Sequence, residues 1–178
     1  MGWYYSHRDK GMTTIDYLVA DGALVREKVK ASSTQNGVCY IAYEFEPGRT
    51  TAFVFLTNWA SGYYNFGYKP MEESMGPNEC TASKKVMEAL SPLKDLFTPS
   101  EEEGSYQWAK RWREECWANL NKPKLKPGDT VRFAQPLEFT NGDKLDTFTY
   151  EKGSRFRSGY GVYTITKYKD RDFEVVNA

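Results

Sequence analysis

The segment GVCYIAYEFEPGRTTAFVFLTNWA, residues 37–60, constrains the fold more than any other stretch of the chain. Val38, Tyr40, Ala42 and Glu44 alternate with Cys39, Ile41, Tyr43 and Phe45, the period-two pattern of a strand. Pro47 and Gly48 then supply turn chemistry, and Thr51 to Trp59 returns as a second strand rich in β-branched and aromatic residues. The reading is a β-hairpin.

Helices are expected on both sides of it in sequence. In TTIDYLVADGALV, Thr13 caps a short helix, Asp16 stands three residues later as in a capping box, and Gly22 ends it. Trp3, Tyr4 and Tyr5 read as an N-terminal strand. SKKVMEALSPLKDLF carries Val86, Met87, Leu90, Leu93, Leu96 and Phe97 at mixed spacings of three and four, which predicts a helix broken at Ser91-Pro92. SYQWAKRWREECWANL is a clearer helix, with Tyr106, Ala109, Trp112, Cys116 and Leu120 along one face and Lys110, Arg111 and Arg113 turned elsewhere.

NKPKLKPGDTV changes the texture. Two prolines and three lysines mark a linker or an extended entry, after which VRFAQPLEF, LDTFTYEK, RFRSGYGVYTITKYK and DFEVV read as short strands with Asn141-Gly142 as a turn. The expected class is α+β. An N-terminal hairpin or sheet packed by helices, residues 1–121, precedes a small SH3-like or barrel-like β-rich part, residues 122–178, either as two domains or as one integrated domain. From Lys122 onward the chain carries 11 Lys and Arg against 8 Asp and Glu, so that end is at +3 and the preceding part at −3.

Overall the 24 basic residues balance 24 acidic ones, which excludes a protein that coats nucleic acid by bulk charge. Cys39, Cys80 and Cys116 lie far apart without a C-x-x-C pair, and His7 is the single histidine, so neither structural zinc nor a disulfide framework is indicated. No apolar run reaches membrane-span length and no secretory leader is evident, and a cytoplasmic setting is expected. No cofactor motif is present. The chain lacks a P-loop, a G-x-S-x-G elbow and an Asp/Glu-x-Lys metal triplet, and Gly159-Tyr160-Gly161 lies among strands without the helix a dinucleotide site needs.

One stretch resists a secondary-structure reading. YNFGYKPMEESMGP, residues 64–77, holds aromatic, basic and acidic residues with two glycines and two prolines, and shows no evident period. As a structural loop, Gly67 and Gly76 would take positive φ, Pro70 and Pro77 would set direction, the aromatics would cover a sheet edge, and Met71 and Met75 would anchor it. As a site, Tyr64, Phe66, Tyr68 and Lys69 would bind, and Glu72 or Glu73 would act as acid/base with a partner such as Glu44, Glu46 or Glu79. Aromatic residues make up 16% of the chain, many of them with a polar tip, which suits both cores and contact surfaces.

Met1-Gly2-Trp3, the 64–77 stretch, LSPL, WAKRWREEC and KPGDTVRF…FTNG…DTF together resemble a family of small uncharacterised proteins encoded by bacteriophages and mobile elements. The resemblance runs over nearly the whole chain. It implies an accessory protein in a bacterial host cytoplasm, with counter-defence by association. Two functions are therefore expected as alternatives. One is a non-enzymatic binding protein for a host protein or nucleic acid, using the 64–77 aromatics and Lys69, with Arg132, Arg155 and Arg157 as phosphate contacts. The other is a small hydrolase or transferase acting on a nucleotide or modified base through Glu72 or Glu73.

Overall fold

The structure is a computed structural model that describes residues 2–59, 61–97 and 102–177. The chain divides into two compact units, Met1–Leu120 and Asn121–Ala178. Among the described residues, no helix is long and apolar enough to cross a membrane.

The first unit is built on a five-stranded antiparallel sheet in the order β1-β5-β4-β3-β2, from β1 (Tyr4–Ser6), β2 (Val29–Gln35), β3 (Val38–Glu46), β4 (Arg49–Trp59) and β5 (Phe66–Glu72). The hairpin expected from the sequence is its centre. Tyr40 faces Val54, Ala42 faces Ala52, and the ladder closes at Glu46 and Arg49 around Pro47 and Gly48, the latter at φ +76°. Each strand is apolar at both parities, so both faces of the sheet must be covered. Val38, Tyr40, Ala42, Ala52 and Val54 look to one side, where α2 (Lys84–Glu88) and α3 (Gln107–Asn121) bring Val86, Met87, Trp112 and Cys116. Cys39, Ile41 and Phe55 look to the other, where α1 (Thr14–Ala20) brings Tyr17 and Leu18. At roughly 1.5–3 kcal/mol for each large apolar side chain buried, these two layers are the main source of stability.

The helix starts follow from local chemistry. The Thr13 hydroxyl accepts the Asp16 amide at 3.1 Å and donates to the Asp16 carboxylate at 2.6 Å, which holds that carboxyl below its usual range. Ser83 caps α2 by accepting the Val86 amide. The expected break near Ser91-Pro92 is present. α2 ends at Glu88, and Leu93–Asp95 forms a separate 3-10 turn after the proline.

The aperiodic stretch is corrected by its neighbours. Residues 66–72 are not a loop but the strand β5, hydrogen-bonded to β4 along its length and to β1 over Phe66, Gly67 and Tyr68. Gly67 therefore has extended backbone, not the positive φ expected of it. Pro70 lies beyond the three residues that β1 covers, where its missing N–H costs no ladder bond. The 3-10 turn Glu73–Met75 follows, and Gly76 ends it at φ +62°.

That turn and the chain after it lie along α3. The Trp112 indole N–H donates to the Glu79 carbonyl at 2.8 Å, and the Asn119 amide donates to the Cys80 carbonyl at 2.7 Å. The Trp108 ring rests on Gly76 so closely that a Cβ there would stand 2.2 Å from a ring carbon. Gly76→Ala adds a clash to the cost of a left-handed backbone, and a loss of about 2 kcal/mol or more is expected in urea unfolding. Introducing Trp108→Ala first removes the clash and leaves only the backbone cost of about 1 kcal/mol.

The second unit is a five-stranded antiparallel sheet of β6 (Thr130–Glu138), β7 (Lys144–Lys152), β8 (Arg155–Ser158), β9 (Gly161–Thr164) and β10 (Phe173–Asn177) in the order β10-β6-β7-β8-β9. β6 to β9 follow one another as a meander and β10 returns beside β6, so the C-terminal part is β-rich as expected. Val131, Phe133, Phe148, Tyr150, Phe156 and Ile165 form its core. The Asn141-Gly142 turn joins β6 to β7, with Gly142 at φ +87°.

Candidate functional site

Glu73, expected as an acid/base, is fully buried and bonded on every side. Its Oε1 accepts the Thr51 hydroxyl at 2.7 Å, the Ala52 amide at 3.0 Å and Nη2 of Arg113 at 2.9 Å. Its Oε2 accepts Nε of Arg113 at 2.6 Å. Four donors thus hold the carboxylate, three on Oε1 and one on Oε2. The β4–β5 ladder ends at the pair Phe53 and Glu72, and the Glu73 carboxylate takes the next amide of β4 in place of a strand carbonyl. Arg113 continues the network by donating to the Ser91 carbonyl at 2.7 Å, while Ser91 exchanges bonds with Thr50. Buried and ion-paired to Arg113, Glu73 ties β4 to α3, a setting unlike the one expected of an acid/base. Glu73→Gln leaves the Arg113 charge, 13% exposed, without its counter-ion, and a loss of about 3 kcal/mol in denaturant unfolding is expected.

The other residues of the stretch separate by strand alternation. Phe66 and Tyr68 are core residues under α1, at 2% and 4% exposure. Phe66 stacks edge-on against Tyr17 at 4.3 Å, so its expected role as a free binding side chain is replaced by packing. The Tyr68 hydroxyl donates to the Asp21 carboxylate at 2.7 Å, and burial, reinforced by that charge, pushes the phenol well above its ordinary pKa. Lys69, half-buried, sits at the opposite parity and faces away from Tyr68. Tyr64 joins a different group, within 5.9 Å of Tyr5 and 5.5 Å of His7 by ring centroids. Glu72 is exposed and has only a 3.5 Å contact from the Ser74 hydroxyl.

These placements expose a cleft that the sequence reading missed. α1 is only seven residues long and covers one end of its face of the sheet. Beyond it an open cleft of about 440 Å³ runs between the Asp21–Leu24 segment and the Glu72–Met75 turn. Its floor is a continuous series of rings: Tyr43 to Phe53 at 5.4 Å, Phe53 to Phe55 at 6.5 Å, Phe55 to Tyr68 at 5.8 Å and Tyr68 to Tyr4 at 5.2 Å. Asp21 stands at one side and Glu72 at the other. Among the described residues that line it, there is no Lys or Arg. The signal was present in Tyr43, Phe53 and Phe55, which share one face of the hairpin with only a short helix in the sequence before them to cover it.

The expected phosphate contacts lie in the second unit. Arg132 pairs with Glu174 at 3.4 Å, and Arg155 and Arg157 share Glu151 at 3.5 and 2.7 Å. All three are exposed, and each has a carboxylate beside it, which lowers the pull of that face on a polyanion.

The cysteines are all buried thiols. Burial raises the pKa of Cys39 and Cys80, and that of Cys116 to about 11; Glu115 adds to the effect at Cys80, whose Sγ donates to its carboxylate at 3.0 Å. The thiolate is the reactive form, so at about pH 8 a thiol reagent is expected to label the three cysteines only after denaturation, as absorbance of released thionitrobenzoate would report.

Comparison with known proteins gives little beyond this. Residues 103–170 match the model of a domain of unknown function, DUF6927, a stretch that takes in α3 and most of the second unit. No curated protein and no solved structure matches the chain.

Proposed function

We propose that this is a non-enzymatic binding protein that engages a partner protein through the aromatic cleft of its first unit. One observation carries the reading: five rings from β1, β3, β4 and β5 touch in series along the cleft, and while Phe55 and Tyr68 are buried, Tyr43 and Phe53 stay half-buried and Tyr4 exposed. Leaving these three rings partly in water forgoes burial energy, and exposed aromatic area is a common mark of contact sites. Two further features favour a protein over a nucleic acid. The cleft is edged by carboxylates, which repel phosphate, and Arg132, Arg155 and Arg157 of the second unit are paired. The burial and ion pairing of Glu73 weigh against the hydrolase or transferase alternative, leaving Glu72 without a second carboxylate from this stretch.

The phage or mobile-element setting implied by the sequence resemblance, a bacterial cytoplasm and a counter-defence role belong to the same proposal. The test compares capture of proteins from host lysate by the intact protein, by Glu72→Lys with Tyr43→Ser, and by Arg132→Ala with Arg155→Ala and Arg157→Ala. A partner kept by the arginine variant and lost by the folded cleft variant is the expected result. Loss in the arginine variant alone, with binding that falls steeply as salt rises, would replace this reading with nucleic-acid binding.

A further inference from the structure

The chemistry of the cleft goes further than an apolar surface would. Resting on the binding reading above, we infer that the cleft receives the guanidinium of an arginine side chain from a partner protein.

Three observations lead there. First, the faces of aromatic rings carry negative potential and attract cations, and here five rings lie in series with Asp21 and Glu72 flanking them. Every charged lining residue among those described is acidic, so an occupant that supplies no positive charge would leave both carboxylates facing apolar contact uncompensated. Second, the carboxylates retain capacity. Asp21 accepts the Tyr68 hydroxyl on Oδ2 and, among the described residues, Glu72 takes only the long contact from Ser74, so both can accept further N–H donors.

Third, the protein already solves this problem with its own arginines elsewhere. Arg49 lies 4.9 Å from the Phe45 ring centroid and 2.6 Å from Glu46. Arg111 lies 4.1 Å from that of Trp108 and 3.7 Å from Glu115. Ring, carboxylate and guanidinium occur together at both places. The cleft has the ring and the carboxylate and, among the described residues lining it, no cation of its own.

Guanidinium suits this geometry better than ammonium. It is planar, so one face can stack on Phe53 or Tyr43 while its edge donates to Glu72, the residue opposite Phe53 in the β4–β5 ladder. An ammonium is a compact and strongly hydrated charge, and entering an aromatic floor costs it more of its water.

The test titrates the ¹⁵N-labelled protein with three probes: acetyl-Gly-Arg-Gly-amide, the same peptide with lysine, and the same peptide with citrulline, which keeps the shape of arginine without its charge. The amides of Gly22, Ala23, Leu24 and Met75 report on the cleft wall. The arginine peptide is expected to shift them with a Kd in the range of about 1 mM, and citrulline to bind at least about tenfold more weakly. Glu72→Gln should bring the arginine peptide close to the citrulline level while leaving the melting temperature unchanged.

Equal binding by arginine and citrulline would overturn the inference and leave the cleft as a site for uncharged groups. Equal binding by lysine and arginine would overturn the choice of guanidinium in favour of any cation. If none of the peptides shifts these amides at about 10 mM, the inference fails outright. The capture experiment would still decide the broader binding reading by itself.

Discussion

The first unit depends on one ion pair. Glu73 sits where the sheet stops and α3 begins its contact, and its carboxylate joins the two. It closes the exposed edge of β4 by accepting the Ala52 amide, and it holds Arg113 in a two-pronged bond from the helix. A buried charge pair of this kind adds little net stability compared with an apolar pair, because both ions lose water. Its value lies in specificity: only one register of α3 against the turn satisfies the carboxylate, the guanidinium and the Ser91 carbonyl together. Gly76 under Trp108 and the Glu79 carbonyl on Trp112 follow from that register.

This arrangement explains an asymmetry in the unit. The face of the sheet anchored by the pair is closed by α2 and α3, with Trp112 and Cys116 sealed inside it. On the opposite face the seven residues of α1 pack on Cys39, Ile41, Phe55, Phe66 and Tyr68, while Tyr43 and Phe53 stay half-buried. The cleft is the remainder. Its position beside the Glu72–Met75 turn means that one turn of chain serves both faces, with Glu73 directed inward to α3 and Glu72 outward to the rings. Two adjacent carboxylates with the same chemistry thus acquire different roles from the direction in which the backbone presents them.

The second unit manages its charges differently. Arg132 on β6 and Arg155 and Arg157 on β8, two inner strands of its sheet, pair with Glu174 and Glu151, so these three do not form an unpaired arginine cluster on the sheet. The DUF6927 match covers most of this unit together with α3, whereas Glu73 and the ring floor lie outside the matched residues.

Much of the architecture was legible in the residues themselves. The alternation of Val38 to Phe45, the Pro47-Gly48 turn, the Thr13 and Ser83 caps and the Trp112–Cys116 face are local signals, and local chemistry decides them. The 64–77 stretch was not legible because its strand is defined by partners on both sides: β4 and β1 supply the hydrogen bonds that override a glycine and a proline. The role of Glu73 depended on Arg113, forty residues away, and no spacing rule links them. The floor of Tyr4, Tyr43, Phe53, Phe55 and Tyr68 comes from four strands, and whether those rings are core or surface turns on how far α1 extends over them. The sequence alone determined the central hairpin, the capped helix starts and the turns, since period, caps and turns act over a few residues. Which carboxylate is buried, and which aromatic face stays open, was decided only by long-range packing.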